Sequence, residues 1–279
     1  AAIESNRKNV ADAKAEIVEG MKQGGTAILN ADDPRVAEMS AKSKGRTLTY
    51  GITAEADVSA ADIEFRRFGD TRFRLIMPNG KADVRFILNG RHNISNALAA
   101  AAVGYSFGMS ADEIAGSLAS VEPPPQRGEI LHFVDGFTVI NDSYNSNPDA
   151  LFSMVQTLVE GSVGSTRKIV VAGEMLELGE RAAEIHHETG SKIAGMGVDV
   201  LIGVRGLAAN LVEGARNAGL TATEFAVDSD AAGERLSEIV RPGDVILVKG
   251  SRGVRTEKVV AKLFEKFELE KNADGHAVA

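Results

Sequence analysis

Five short polar stretches and one lysine carry most of the side chains in this sequence that could do chemistry. Lys249-Gly250-Ser251-Arg252-Gly253 follows an apolar run ending at Val248 and precedes a helical pattern. Backbone N–H groups at such a helix start, joined by a lysine and an arginine, converge where an anion would sit. It is not a P-loop, because no G-x-x-x-x-G-K-[ST] occurs in the chain. Asn141-Asp142-Ser143-Tyr144-Asn145-Ser146-Asn147-Pro148 follows a run ending at Ile140. Asn147 can cap a helix with Pro148 in its first turn, so the stretch is either a ligand loop or a capped polar connection. Gly173-Glu174-Met175-Leu176-Glu177-Leu178-Gly179 sets two carboxylates after a strand ending at Ala172, with His186 and His187 on the next helix. These groups can bind a metal or an ammonium group, or simply suit a helix dipole and solvent. Asn30, Asp32 and Asp33 end a strand, and Arg91-His92-Asn93-Ile94-Ser95-Asn96 opens an alanine-rich helix that Ser95 or Asn96 can cap. Lys14 lies in a helical run between two alanines, where an exposed helix-forming lysine is the simplest reading.

The elements that position these residues fall into two sets. Val10 to Met21 reads as a helix, Thr26 to Leu29 as a buried strand, and Pro34 to about Lys44 as a second helix. Between Arg46 and Leu88 the pattern changes to short β-like runs (46–51, 62–67, 72–77 and 82–88), which predicts a small antiparallel sheet. Two packed helices follow over 97–107 and 111–120. Pro123, Pro124 and Pro125 make a stiff segment without backbone donors, so a domain boundary is expected there, with residues 1–122 before it and 123–279 after it. Beyond it, apolar runs at 137–140, 168–172, 198–202, 224–227 and 244–249 alternate with helical patterns. That alternation predicts an α/β domain with a mainly parallel sheet and ligands at the carboxyl ends of its strands. A last helix is expected over 254–267, and the tail from Lys271 reads as frayed.

Composition narrows the function classes. The 279 residues are 44% hydrophobic and 25% charged, enough for one large or two ordinary domains. A net charge of -8 argues against general affinity for nucleic acid or anionic membranes. With no cysteine there is no disulfide, thiolate metal site or cysteine nucleophile, which fits a reducing compartment. No run approaches the roughly 20 apolar residues of a membrane span, and Ala1 to Asn9 lacks the features of a secretory signal. A cytoplasmic, monomeric protein is expected.

Taken in order, the motifs resemble those of the Mur ligases of bacterial peptidoglycan synthesis. The matching stretches are Ala13-Lys14-Ala15-Glu16-Ile17, Asn30-Ala31-Asp32-Asp33, Gly90-Arg91-His92-Asn93 with Asn96, Arg127, Asn141 to Pro148, Gly173-Glu174-Met175 with Glu177-Leu178-Gly179 and His186, and Lys249-Gly250-Ser251-Arg252. The Ser-Tyr-Asn-Ser-Asn-Pro and Lys-Gly-Ser-Arg pieces favour the members that add D-alanyl-D-alanine to UDP-N-acetylmuramoyl-tripeptide. The resemblance implies the remainder of a central ATP-binding domain, including the small antiparallel sheet, followed by a Rossmann-like C-terminal domain. It implies ATP and Mg2+ as cofactors, and amide formation through an acyl phosphate on the peptide carboxylate. By the same resemblance Lys14 matches a lysine that becomes carbamylated beside magnesium, and Lys249 is expected as a second catalytic group. Asn30, His92, Asn93, Asn96, Arg127 and Asp142 fall on the nucleotide side. Asn145, Asn147, Glu174, His186, Ser251 and Arg252 fall on the acceptor and substrate side.

Two departures from the family pattern shape the expectation. A Gly-Lys-Thr phosphate loop belongs upstream of Lys14, together with a domain for the uridine nucleotide, and neither is in the sequence. A magnesium-binding histidine ahead of the lysine has no counterpart in Ala1 to Ser5. The chain therefore reads as a fragment that is inactive alone. The alternatives are a sister ligase that adds another amino acid, a folylpolyglutamate-type ligase, or a non-catalytic nucleotide-binding module.

Overall fold

The computed structural model describes residues 2–162, 164 and 167–270, which leaves the tail from Lys271 outside the described residues. The chain divides into two compact units, the first formed by 1–64, 70–87 and 91–121 and the second by 65–69, 88–90 and 122–279.

The first unit starts with α1 (Ala2–Glu19), longer at its start than the apolar spacing predicts because no breaker precedes Val10. Ala15 and Val18 turn one face of α1 onto Ala27 and Leu29 of β1 (Thr26–Asn30) and onto Met39, while Lys14 points to the exposed side. Asp33 caps the short α2 (Pro34–Ala37), accepting the Arg35 N–H at 3.0 Å with Pro34 in the first turn. The longer helix expected to Lys44 is replaced by a 3-10 stretch over Glu38–Lys42, where the Ser40 hydroxyl donates to the Ala37 carbonyl.

The sheet of this unit corrects one expectation. Its order is β1, β2 (Arg46–Gly51), β3 (Val58–Arg67), β4 (Asp70–Met77), β5 (Gly80–Phe86). The 46–51 run does not join an antiparallel set. It pairs in parallel with β1 and with β3, whereas the β4–β5 hairpin is antiparallel. The 34–42 helical stretch supplies the crossover that returns β2 beside β1 in the same direction, a connection that a hairpin turn cannot make. α3 (Arg91–Ser106) and α4 (Ala111–Ala119) complete the unit, the latter entered through a capping box between Ser110 and Glu113.

The second unit is a six-stranded sheet between helices. Its strands are β6 (Glu129–His132), β7 (Thr138–Asp142), β8 (Arg167–Gly173), β9 (Val200–Val204), β10 (Thr223–Ala226) and β11 (Asp244–Lys249), in the order β10-β9-β8-β11-β7-β6. All neighbouring pairs are parallel except β6–β7. β6 was not among the expected strands. Its four residues form a hairpin with β7 through Gly136, whose φ of +81° suits glycine in the turn. The helices are α5 (Pro148–Gly161), α6 (Ala182–Ala194), α7 (Ala208–Asn217), α8 (Ser229–Ile239) and α9 (Glu257–Lys266). Strands buried on both faces explain the unbroken apolar runs: Ile169, Val171, Ile246 and Val248 face one core, Val170, Ala172, Val245 and Leu247 the other.

The strand order reverses direction between β8 and β11. From β8 the chain proceeds outward to β9 and β10, then returns across the sheet to β11 on the other side. Loops leaving β8 and β11 therefore diverge, and the crevice at such a switch point is where α/β sheets take ligands.

Candidate functional site

At the carboxyl end of the sheet in the second unit, Lys249 is the last residue of β11, level with Asp142 of β7. This register brings the lysine Nζ to 2.5 Å from Asp142 Oδ2 and 2.8 Å from the Asn145 carbonyl oxygen. Lys249 is only 4% exposed, so its charge is held inside the structure by one carboxylate and one carbonyl. Ser251 follows, also buried. Its hydroxyl accepts the Leu176 N–H at 3.0 Å and donates to the Ser146 carbonyl at 3.3 Å, joining the loops after β7, β8 and β11. Gly173 and Gly250 make this junction possible. A Cβ on either would lie 2.8 Å or less from the Thr256 side chain.

A second group lies among the exposed parts of the same loops. The Arg127 guanidinium sits 4.0 Å from the centre of the Tyr144 ring, and that of Arg252 sits 5.9 Å from it. Gln126 links them, its backbone carbonyl accepting the Tyr144 N–H and its side-chain oxygen accepting Arg252 Nη1 at 3.0 Å. Gln126, Glu177, Arg205 and Arg255 all have positive φ without being glycine, and all four lie in segments near this edge of the sheet. Such conformations are costly and gather where structure serves a site. Buried side-chain oxygens without a hydrogen-bond partner include those of Ser146 and Thr256, in the loops after β7 and β11, and of Glu257 in the first turn of α9.

Several expected site residues have structural duties. His186 is fully buried, with Nδ1 2.6 Å from the Ala182 carbonyl and Nε2 accepting the Met175 N–H at 2.9 Å. The Ala182 carbonyl requires a proton on Nδ1, so Nε2 is the acceptor and both nitrogens are spent on backbone. His186, expected on the substrate side, here holds the loop after β8. Glu174 accepts the Leu207 N–H at 3.0 Å, at the start of α7, and its carboxylate fills the space beside Gly206. Asn147 caps α5 as its sequence predicts, accepting the Ala150 N–H at 2.8 Å, and Asn145 accepts the Ser146 N–H.

In the first unit, the Asn30 side chain accepts the Asp32 N–H, a turn within its own loop. Asp32 reaches the β2–β3 connection, accepting the N–H groups of Ile52, Thr53 and Ala54 and the Thr53 hydroxyl. Burial pushes its carboxyl up, but these donors together hold it below the usual carboxylate range. His92, Asn93 and Asn96 share the first turns of α3, spaced so that 92 or 93 and 96 lie on one helix face. Lys14 is exposed on α1. Among the described residues no group of three or more His, Cys, Asp or Glu side chains gathers to hold a metal ion, and no helix is long and apolar enough to cross a membrane.

Sequence reasoning singled out neither Tyr144 nor Gln126 as a site residue. The signal available was slight: a tyrosine inside a polar loop, and a Gln-Arg pair directly after the proline run.

Comparison with known proteins agrees with this layout. Residues 3–104 match the Mur ligase middle domain, and residues 126–252 match the Mur ligase, glutamate ligase domain. The chain is 34% identical over 260 residues to the UDP-N-acetylmuramoyl-tripeptide--D-alanyl-D-alanine ligase of Escherichia coli, covering 92% of the chain and 56% of that protein. It is 33% identical over 265 residues to the ligase of the same name from Mycobacterium tuberculosis, covering 88% of the chain and 52% of that protein. A crystal structure of MurF from Acinetobacter baumannii superposes with a TM-score of 0.82 at 28% identity, over 93% of the chain and 56% of that structure. The chain thus spans about half the length of the curated relatives it matches. Two matched domains in the order the motifs require, on a fold shared with solved relatives, show that the chain belongs to the Mur ligase family.

Proposed function

We propose that this chain supplies the nucleotide- and acceptor-handling part of an ATP-dependent ligase that adds D-alanyl-D-alanine to UDP-N-acetylmuramoyl-tripeptide. The observation that carries the reading is the joined set of loops after β7, β8 and β11, in which Lys249, Asp142, Ser251 and the Arg127–Tyr144–Arg252 group occupy one edge of the sheet. The two ligases of that name at 33–34% identity favour the dipeptide acceptor over the single amino acids taken by sister ligases.

In this reading the tripeptide carboxylate attacks the γ-phosphate of ATP, forming an acyl phosphate and ADP. The amine of D-alanyl-D-alanine then attacks the acyl carbon, an amide forms, and phosphate leaves. Asp142 accepts hydrogen bonds from the ribose, and Lys249, at 2.5 Å, keeps that carboxylate aimed. Arg127 and Arg252 face phosphate oxygens, where fixed cations lower the cost of the charge that develops during transfer. Asn145 and Asn147 border the acceptor side. His92, Asn93 and Asn96 on α3 contribute to nucleotide binding. Lys14, if carbamylated, would offer an anionic ligand for magnesium that a free ammonium cannot, and the ion would supply charge neutralisation on the phosphates. A nucleotide-linked peptide substrate favours a cytoplasmic setting, and the protein is taken to act there as a monomer.

The test is a hybrid in which this chain replaces the portion of the Escherichia coli relative that it matches. ATP-dependent phosphate release that requires both UDP-N-acetylmuramoyl-tripeptide and D-alanyl-D-alanine is the expected result. Release with a single amino acid in place of the dipeptide would move the chain to a sister ligase, and no release from a folded hybrid would favour a non-catalytic module.

A further inference from the structure

The second unit holds two guanidinium groups within 6 Å of one tyrosine ring, at distances of 4.0 Å for Arg127 and 5.9 Å for Arg252. Two like charges gathered on one ring repel, yet the structure spends several features on keeping both beside it. Gln126 adopts a left-handed backbone with φ of +63°, takes Arg252 Nη1 on its side-chain oxygen, and receives the Tyr144 N–H on its carbonyl. Compensating charge is sparse. The nearest carboxylate to Arg252 is that of Glu257, at 3.8 Å and shared with Arg255, and among the described residues no carboxylate pairs with Arg127. Tyr144 itself is 43% exposed, an unusual setting for a ring that organises three loops. A pair of planar cations, spaced by a ring and short of anions at the carboxyl edge of a parallel sheet, suits an anion with several oxygens.

We propose that Tyr144 is a positioning residue: its ring stacks on Arg127, sets the spacing to Arg252, and so holds the two guanidinium groups as one seat for a polyphosphate. The ring acts through the arginines and does not itself touch the phosphates. The proposal rests on the reading that this edge of the sheet takes a nucleotide, and it adds the residue that shapes the phosphate seat. Stacking on a guanidinium needs a flat aromatic face and no hydroxyl, so phenylalanine can replace Tyr144 and leucine cannot. Lysine in place of Arg127 keeps the charge but loses the planar surface.

The experiment measures binding of tripolyphosphate and of ADP to this chain by titration calorimetry. The set comprises wild type, Tyr144→Phe, Tyr144→Leu, Arg127→Lys and the double variant Tyr144→Leu/Arg127→Lys, with thermal unfolding as the folding control. Wild type and Tyr144→Phe are expected to bind alike. Tyr144→Leu is expected to weaken both ligands by about threefold to tenfold, the range of one or two exposed cation–π contacts. In the Arg127→Lys background the same change is expected to add little. In the hybrid ligase, Tyr144→Leu is expected to raise KM for ATP without moving KM for D-alanyl-D-alanine, a split that a general loss of structure would not produce. A loss confined to ADP, with tripolyphosphate unaffected, would overturn the proposal by placing the ring against the base. Failure of wild type to bind tripolyphosphate would overturn the seat itself, while the ligase reading would still stand or fall on hybrid turnover.

Discussion

Replacing Lys249 by methionine removes a buried cation while keeping most of the volume of its stem. The Asp142 carboxylate is then left with a side chain only 15% exposed and without its partner at 2.5 Å, and the Asn145 carbonyl loses a donor at 2.8 Å. Breaking one side of a buried ion pair costs about 3–5 kcal/mol. Asp142 retains some access to water, so a loss at or below the lower end, about 2–3 kcal/mol, is expected. For a unit of this size that lowers the unfolding temperature by about 5–10 °C. Differential scanning calorimetry of wild type, Lys249→Met, Asp142→Leu and the double variant closes a thermodynamic cycle. The double variant is expected to be more stable than the sum of the single losses implies, by about 1.5 kcal/mol or more, because the unpaired charge is gone from both sides. If Lys249→Met costs less than about 0.5 kcal/mol, or if the two losses simply add, the lysine is not held by Asp142 in the way the geometry requires.

Three further outcomes follow from the same structure. His186→Ala removes two backbone contacts and leaves a cavity in a fully buried site, so a loss of about 2–4 kcal/mol in urea unfolding is expected, with faster amide exchange at Met175. Gly190→Ala would place a Cβ 1.8 Å from the Leu211 carbonyl oxygen where α6 meets α7, and a loss above about 3 kcal/mol is expected from circular dichroism melts. The Asp32 carboxyl is raised by burial but more strongly lowered by its donors in the β2–β3 connection. Since its folded value lies below its unfolded one, it stabilises the first unit above about pH 4 and the contribution disappears as pH falls through the folded value. Asp32→Asn is therefore expected to flatten the acid side of the stability profile, as followed by thermal melts between pH 2 and 6.

How much of this was legible in the sequence depended on the range of the interactions. The centres of β8 and β11, residues 169–172 and 245–248, are unbroken apolar runs because both their faces are buried, so the expected runs at 168–172 and 244–249 could be read directly. The Asn147–Pro148 start of α5 was equally plain, since a cap and a first-turn proline are local chemistry. The pairing of β2 with β1 was not, because partner choice is decided by the crossover and not by the residues of the strand. β6 escaped notice as a four-residue edge strand whose only continuous apolar signal is Ile130-Leu131. The site divides the same way. Order and spacing pointed to Lys249 and Asp142, but not to their ion pair across 107 residues, nor to the link between Gln126 and Arg252 across 126. His186 looked like a ligand because sequence shows a histidine near a polar loop, whereas only the packing shows that both ring nitrogens are occupied by backbone.

The most direct test of amide formation through an acyl phosphate with a dipeptide acceptor is isotope transfer in the hybrid ligase. UDP-N-acetylmuramoyl-tripeptide labelled with 18O in its terminal carboxylate is turned over with ATP and D-alanyl-D-alanine, and phosphate and product are weighed by mass spectrometry. The account predicts phosphate carrying one 18O atom, and a product that retains one and has gained the dipeptide. Unlabelled phosphate, or a product extended by a single amino acid when both acceptors are offered, would contradict it.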